Sequence, residues 1–290
     1  MVVRAGSRGG LLALTSMAQA YSAGAADWAT GPALVYERLA ERLVAFSPVP
    51  FAGSTVLDLG SGTGLGSRAA LAAGGRVVAT DVALGMLRQD FAQRPPATVG
   101  DALALPFRDG AFDIVLAAFS LNHLEHPELG VAEAARVGEV LLASTYAADD
   151  DHPVKGAVEA ALGELGWTRP GWYDVVKQSM SAWGTVDQAT KVIVQGGMRP
   201  VRVERLEVLF PELLPRDMVA WRMGLAQSGP FVAALPPELR ARAVRRALEL
   251  LGPGPGPLVR RVIFLAAAQG GERSGDVPLQ RLGVVARPGH

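Results

Sequence analysis

Val56-Leu57-Asp58-Leu59 runs straight into Gly60-Ser61-Gly62-Thr63-Gly64. An apolar run that ends on a carboxylate and then sets a glycine at every second position suits a turn in which backbone meets a ligand, because glycine has no Cβ to hold the ligand off. A helix starting directly after such a loop offers free N–H groups and the positive end of its dipole to a carboxylate or phosphate. Two more carboxylates close short apolar runs downstream, Asp81 after 76–80 and Asp101 after 98–100. Each can accept two hydrogen bonds at once. His123, just past the apolar run Phe112–Ala118, is the candidate general base; His126 reads as the start of a helix, and His152 is a weaker candidate on a later helical segment. There is no cysteine, which excludes thiolate nucleophiles, disulfides, cysteine-bound zinc and iron–sulfur centres. No metal site is expected, since Asp149-Asp150-Asp151 reads as a solvated loop or a helix cap.

The elements that must position these groups alternate. Residues 32–46 form an amphipathic helix with Leu34, Val35, Leu39, Leu43 and Phe46 on its apolar side. Strands are then expected at 54–59, 76–80, 98–100, 112–118 and 139–146, and helices at 64–73, 83–91 and 127–137. Near-continuous apolar strands separated by helices mean a parallel sheet covered on both faces, an α/β fold. The glycine loop then lies at the carboxyl end of the first strand, where such sheets bind ligands. It is not a dinucleotide fingerprint, because the third glycine position falls on Leu65 or Ser67, and no Gly-Lys-Ser/Thr follows to make a phosphate-binding Walker loop.

The ordered set of motifs resembles the class I S-adenosylmethionine (SAM)-dependent methyltransferases, of the type 11-like kind that acts on small molecules. Residues 56–64 match that family's first motif, Asp81 its ribose-binding carboxylate, 100–115 the following stretch and 117–124 the segment after the fourth strand. The resemblance implies a Rossmann-like seven-stranded sheet whose last strand is antiparallel, with 201–210 and 258–267 as the sixth and seventh strands. It implies SAM as cofactor, held by Asp58, Gly60, Gly62, Gly64, Asp81, Val82, Asp101, Ala102 and Ala118. One departure is visible: the family's Pro-Gly-Gly-type turn before the fifth strand is replaced here by the shorter Arg136-Val137-Gly138-Glu139-Val140. The implied reaction is in-line attack of a small-molecule acceptor, expected to be a secondary metabolite, on the activated methyl. A SAM-binding biosynthetic enzyme such as a cyclase, which does not transfer methyl, would carry the same cofactor motifs.

Acceptor contacts are expected from Tyr21 and Trp28, ahead of the first helix, and from Trp172 and Trp221 on two helical segments rich in Trp and Met. The chain divides into a flexible leader and cap (1–31), the SAM-binding core (32–150), a helical insertion (151–184), the completion of the sheet (185–210 and 258–268), a helical lid (211–257) and a flexible tail (269–290). Lys plus Arg and Asp plus Glu are 28 each, which argues against nucleic acid or an anionic membrane surface as partner. No apolar run is long enough to span a bilayer. Residues 1–20 loosely copy a signal peptide, with Ala18-Gln19-Ala20 in the place of a cleavage site, but Thr15, Ser16 and Gln19 break the apolar stretch, so a leader running into a first helix, or a start at Met17, is expected, and a cytoplasmic protein. A homodimer is compatible with the sequence, which carries no feature that decides it.

Overall fold

The computed structural model describes residues 17–270. The reading of residues 1–16 as a leader, and nearly all of the tail, lie outside that range. A single seven-stranded sheet runs through the molecule in the order β3-β2-β1-β4-β5-β7-β6. Its strands are β1 (Thr55–Leu59), β2 (Arg76–Asp81), β3 (Ala97–Val99), β4 (Phe112–Ala118), β5 (Gly138–Tyr146), β6 (Met198–Phe210) and β7 (Leu258–Gln269). The first five are parallel, and β7 is antiparallel to both β5 and β6. Strand order reverses at β1, which sits between β2 and β4, so the loop after β1 opens at the switch point of the sheet.

Helices α1 (17–23), α2 (Ala25–Thr30), α3 (Ala33–Ala45), α4 (Leu65–Ala72), α5 (Leu84–Arg88) and α6 (Pro127–Val137) precede β5. They are followed by α7 (Pro153–Gly163), α8 (Gly171–Ser181), α9 (Val186–Gln195), α10 (Pro215–Met223), α11 (Gly229–Ala234) and α12 (Pro237–Leu251). Two large apolar cores form, beside a small third cluster in which Ala25 meets Ala83 and Met86. One packs α3, α7, α10 and α12 beneath β6 and β7; the other packs α6 and α9 against the opposite side, around Leu57, Val115, Leu141 and Trp183.

Several expectations shift. The cap segment ahead of the amphipathic helix is itself helical, over 17–23 and 25–30. Leu34 is 43% exposed, because the buried stripe of α3 runs through Val35, Leu39 and Leu43, one residue round the helix. α5 stops at Arg88, short of Phe91, because Gln89 is already extended, with a ψ of 135°, and Asp90 follows with a left-handed φ of 50°. β6 begins at Met198 rather than 201. Pro200 reads as a strand breaker, but it lies on the edge strand beside a register shift between Pro200 and Arg202, where a missing N–H costs no ladder bond. β7 reaches Gln269, whose side-chain amide donates to the carbonyls of Ala135 and Gly138. The shortened turn before β5 is no turn at all: α6 ends at Val137 and β5 starts at Gly138.

Candidate active site

The loop after β1 is held open by torsion and by packing. Gly60, Gly62 and Gly64 have φ of 70°, 53° and 91°, a left-handed region that side chains seldom adopt. A Cβ on Gly60 would lie 2.3 Å from Cβ of Ser120, at the end of β4. Ser120 in turn donates its hydroxyl to the carbonyl of Leu59 at 2.6 Å, pinning the ends of β1 and β4 together. Gly66 was not singled out by its sequence context, yet its Cβ would fall 2.9 Å from a carboxylate oxygen of Asp58.

Asp58 is 1% exposed and accepts a 2.6 Å hydrogen bond from the Ser67 hydroxyl. Burial outweighs that bond and pushes its carboxyl up to about 6. Asp81 accepts backbone N–H bonds from Gly62 at 2.8 Å and Ala83 at 2.7 Å, and burial raises its pKa as well. Its carboxylate thereby ties the glycine loop to the end of β2 while keeping lone pairs free. Arg94, which carried no recognisable signal, donates to the Ser61 hydroxyl and to the carbonyls of Gly62 and Met86, bracing the loop from outside.

These groups wall a first chamber. Asp58, Gly60, Gly62, Asp81, Val82, Asp101, Ala102, Ala118, Tyr21, Trp28 and His123 all line it, with Ala83 and Met86 beside them. Gly64 does not; it is the left-handed residue that turns the chain into α4. The roof is the α1–α2 segment, carrying Met17, Tyr21 and Trp28. It is seated by a bond from the Gly85 N–H to the Ser22 hydroxyl, at a glycine whose Cβ would come within 2.5 Å of the Ser22 carbonyl.

A second chamber of about 320 Å³ opens behind the first and shares four wall residues with it: Tyr21, Tyr36, Phe119 and His123. Phe119 holds a φ of 55° without being glycine, the kind of backbone strain that concentrates at functional sites. Its ring packs on Tyr146 and Tyr36, with centroids 4.7 and 5.3 Å away. The Tyr21 hydroxyl and Nε2 of His123 are 3.0 Å apart, and Nδ1 of His123 faces the Ser120 carbonyl at 3.3 Å. A carbonyl only accepts, so Nδ1 carries the ring proton and Nε2 accepts from Tyr21. Burial pushes His123 down to about 4 and Tyr21 well above its ordinary value. The imidazole is therefore neutral at physiological pH, and the phenol keeps its proton.

Trp221 lines the second chamber, under the guanidinium of Arg260. It is 2% exposed and belongs to the main core, since α10 and α12 pack with α7 beneath the sheet. Of the expected lid over 211–257, α10 thus supplies Trp221 and Arg222 to the wall of the second chamber, while α12 packs in the core and lines neither chamber. Trp172 lines neither chamber. Its ring packs on Tyr173, and it is Tyr173 that faces the second chamber. His152 lines that chamber too, as the N-cap of α7, while His126 forms a surface contact with Glu128. Among the described residues no group of three or more metal-ligating side chains gathers at one place, and no helix is long and apolar enough to cross a membrane.

Residues 57–139 match the methyltransferase domain family. A demethylmenaquinone methyltransferase of Renibacterium salmoninarum is 32% identical over 181 residues, covering 57% of this chain and 75% of that one. A second protein of that name, from Thermobifida fusca, is 41% identical over 97 residues, or 31% of this chain and 41% of its own length. Among solved structures, a protein assigned as a methyltransferase from an antibiotic biosynthesis pathway of Anabaena variabilis superposes with a TM-score of 0.55. It has 18% identity and covers 79% of this chain and 96% of the other.

Proposed function

From the premise that this chain belongs to the class I SAM-dependent methyltransferases, we propose that the first chamber holds SAM and the second holds the methyl acceptor. The observation that carries this reading is the shared wall of Tyr21, Tyr36, Phe119 and His123, the one place where the contents of the two chambers meet.

The residues of the first chamber fit the cofactor. Asp81 offers a carboxylate to paired ribose hydroxyls, Asp101 and Ala102 flank an adenine, and Asp58 with the loop of Gly60 and Gly62 presents carboxylate and bare backbone to the amino-acid arm. When bound, SAM supplies an electrophilic methyl on a sulfonium. The protein's work is then to align the acceptor, exclude water and take a proton where the acceptor is a hydroxyl. The roof of α1 and α2 and the aromatic cluster of Phe119, Tyr36 and Tyr146 exclude water. His123 takes the proton through Tyr21: the phenol passes its own proton to the neutral Nε2 and receives the acceptor's in exchange.

The test is incubation with methyl-labelled SAM and a panel of small acceptors: aromatic, polyketide and terpenoid alcohols, together with the reduced form of demethylmenaquinone, the compound for which the relatives are named. The expected outcome is S-adenosylhomocysteine and an acceptor one methyl heavier. Formation of a rearranged, unmethylated product with SAM intact would replace methyl transfer by a cyclase-type reaction.

A further inference from the structure

Taking the second chamber as the acceptor site, as proposed above, we infer that its acceptor is an anionic, oxygen-rich small molecule: a hydroxylated compound that carries a carboxylate or comparable oxyanion. The chamber is lined by four cations, Lys155, Lys177, Arg222 and Arg260, against two carboxylates, Asp150 and Asp151. Internal pairing does not remove the surplus. Arg260 is matched by Asp150. Arg222 pairs with Glu159 at 2.7 Å, and Arg169 beside it faces both Glu159 and Asp174 at 3.7 Å, so the cation left over is Lys177. Lys155 and Asp151 are 3.8 Å apart and largely exposed, a weak pair. Lys177 has no carboxylate within 4.0 Å among the described residues. Burial first, and then the nearby charges of Lys155 and Arg169, hold its pKa below the ordinary lysine value. An anion in the chamber would relieve that repulsion.

A second observation is independent of charge. Three buried N–H donors on residues lining this chamber have no partner: Nε2 of His152, Nε1 of Trp221 and Nε of Arg260. For His152 the tautomer follows from geometry, since the Val154 N–H donates to Nδ1 at 3.2 Å and leaves the ring proton on Nε2. Buried donors are normally satisfied, and donors call for oxygen acceptors. Two further groups of the wall are without partners: the Tyr146 hydroxyl, which can donate or accept, and the acceptor Oδ1 of Asn122, which adjoins His123 in the chain and suits a hydroxyl proton near the junction. A hydrocarbon ligand would answer none of these groups; a hydroxy acid answers both kinds.

The inference is tested by calorimetric binding of para-hydroxybenzoate and its methyl ester, each in the presence of saturating S-adenosylhomocysteine. The acid is expected to bind ~10-fold or more tightly than the ester, a difference of one decade in Kd. The double variant Lys155→Gln, Lys177→Gln, which alters only rim side chains and should keep its melting temperature, is expected to lose that preference while its S-adenosylhomocysteine affinity stays the same. Equal binding of acid and ester, no binding of either, or a preference that survives in the double variant overturns the inference. Failure of the unmodified protein to bind S-adenosylhomocysteine overturns instead the cofactor assignment beneath it.

Discussion

The two chambers are built in different ways. The first is a backbone site. Its floor is a contiguous loop, its glycines take torsions that few other residues tolerate, and its carboxylates close consecutive parallel strands. The second is a side-chain site, lined from α7, α8, α10, the end of β5 and β7. A site made of backbone is written in a short motif and resists substitution. A site made of side chains from remote segments can change its ligand without changing the fold. Only the aromatic and imidazole wall between them belongs to both.

That contrast can be broken at its strongest point. Gly60→Ala should weaken S-adenosylhomocysteine binding by ~1,000-fold, equivalent to about 4 kcal/mol, because the added Cβ meets Ser120 at 2.3 Å and the backbone must leave its left-handed torsion. Calorimetry at unchanged circular dichroism checks it; near-normal affinity would mean that the loop is not a ligand surface.

At the shared wall, His123→Ala should lower kcat by ~100-fold with cofactor affinity held within about twofold, the scale expected for a general base. The same variant has a stability signature. Burial lifts Asp58 to about 6 and lowers His123 to about 4. A carboxyl raised from ~3.9 adds stability as pH falls from 6 towards 4, whereas an imidazole depressed from ~6.5 removes stability over nearly the same window. At ~1.4 kcal/mol per unit each effect is roughly 3 kcal/mol, so the two nearly cancel in the unmodified chain. Removing His123 removes its opposing effect, so the variant should gain roughly 3 kcal/mol over the unmodified chain between pH 7 and pH 4. Urea midpoints at the two pH values test this; parallel behaviour would place the ring in water.

Asp81→Ala should cost about 1.5–3 kcal/mol of cofactor binding, the worth of hydrogen bonds to a charged group, and leave the acid-over-ester preference of the second chamber untouched. A change in that preference would show the chambers to be coupled. The smallest effect is expected at Trp172, which lines neither chamber. Trp172→Ala should leave kcat and both binding constants within about twofold, whereas Tyr173→Ala should move the acceptor KM. The reverse result would exchange their places on α8.

Much of the first chamber was legible because its parts are local. The glycines, Asp58 and Asp81 sit at strand ends that the apolar runs already mark, and strand–helix alternation leaves few ways to arrange them. Gly66 escaped notice because its requirement comes from the Asp58 carboxylate reaching across the turn. Phe119 escaped because nothing in a phenylalanine announces a φ of 55°. Trp172 and Tyr173 are adjacent aromatics in one aromatic-rich segment; one residue on a helix is a rotation of about 100°, and packing of α8 decided that Tyr173 lines the chamber.

The sequence by itself determined the α/β alternation, the glycine loop and the carboxylates that close β2 and β3, because periodicity, backbone torsion and strand termination are short-range effects. Tertiary structure alone decided which residues became the boundary between the chambers. Tyr21 and His123 lie 102 positions apart and meet at 3.0 Å only because α1 is seated on α5 over the end of β4. Arg260 and Asp150, 110 positions apart, meet because β7 runs back antiparallel to β5. Charge and hydrogen-bonding capacity in the second chamber are sums over segments that share no local pattern, so they exist only once the sheet has closed.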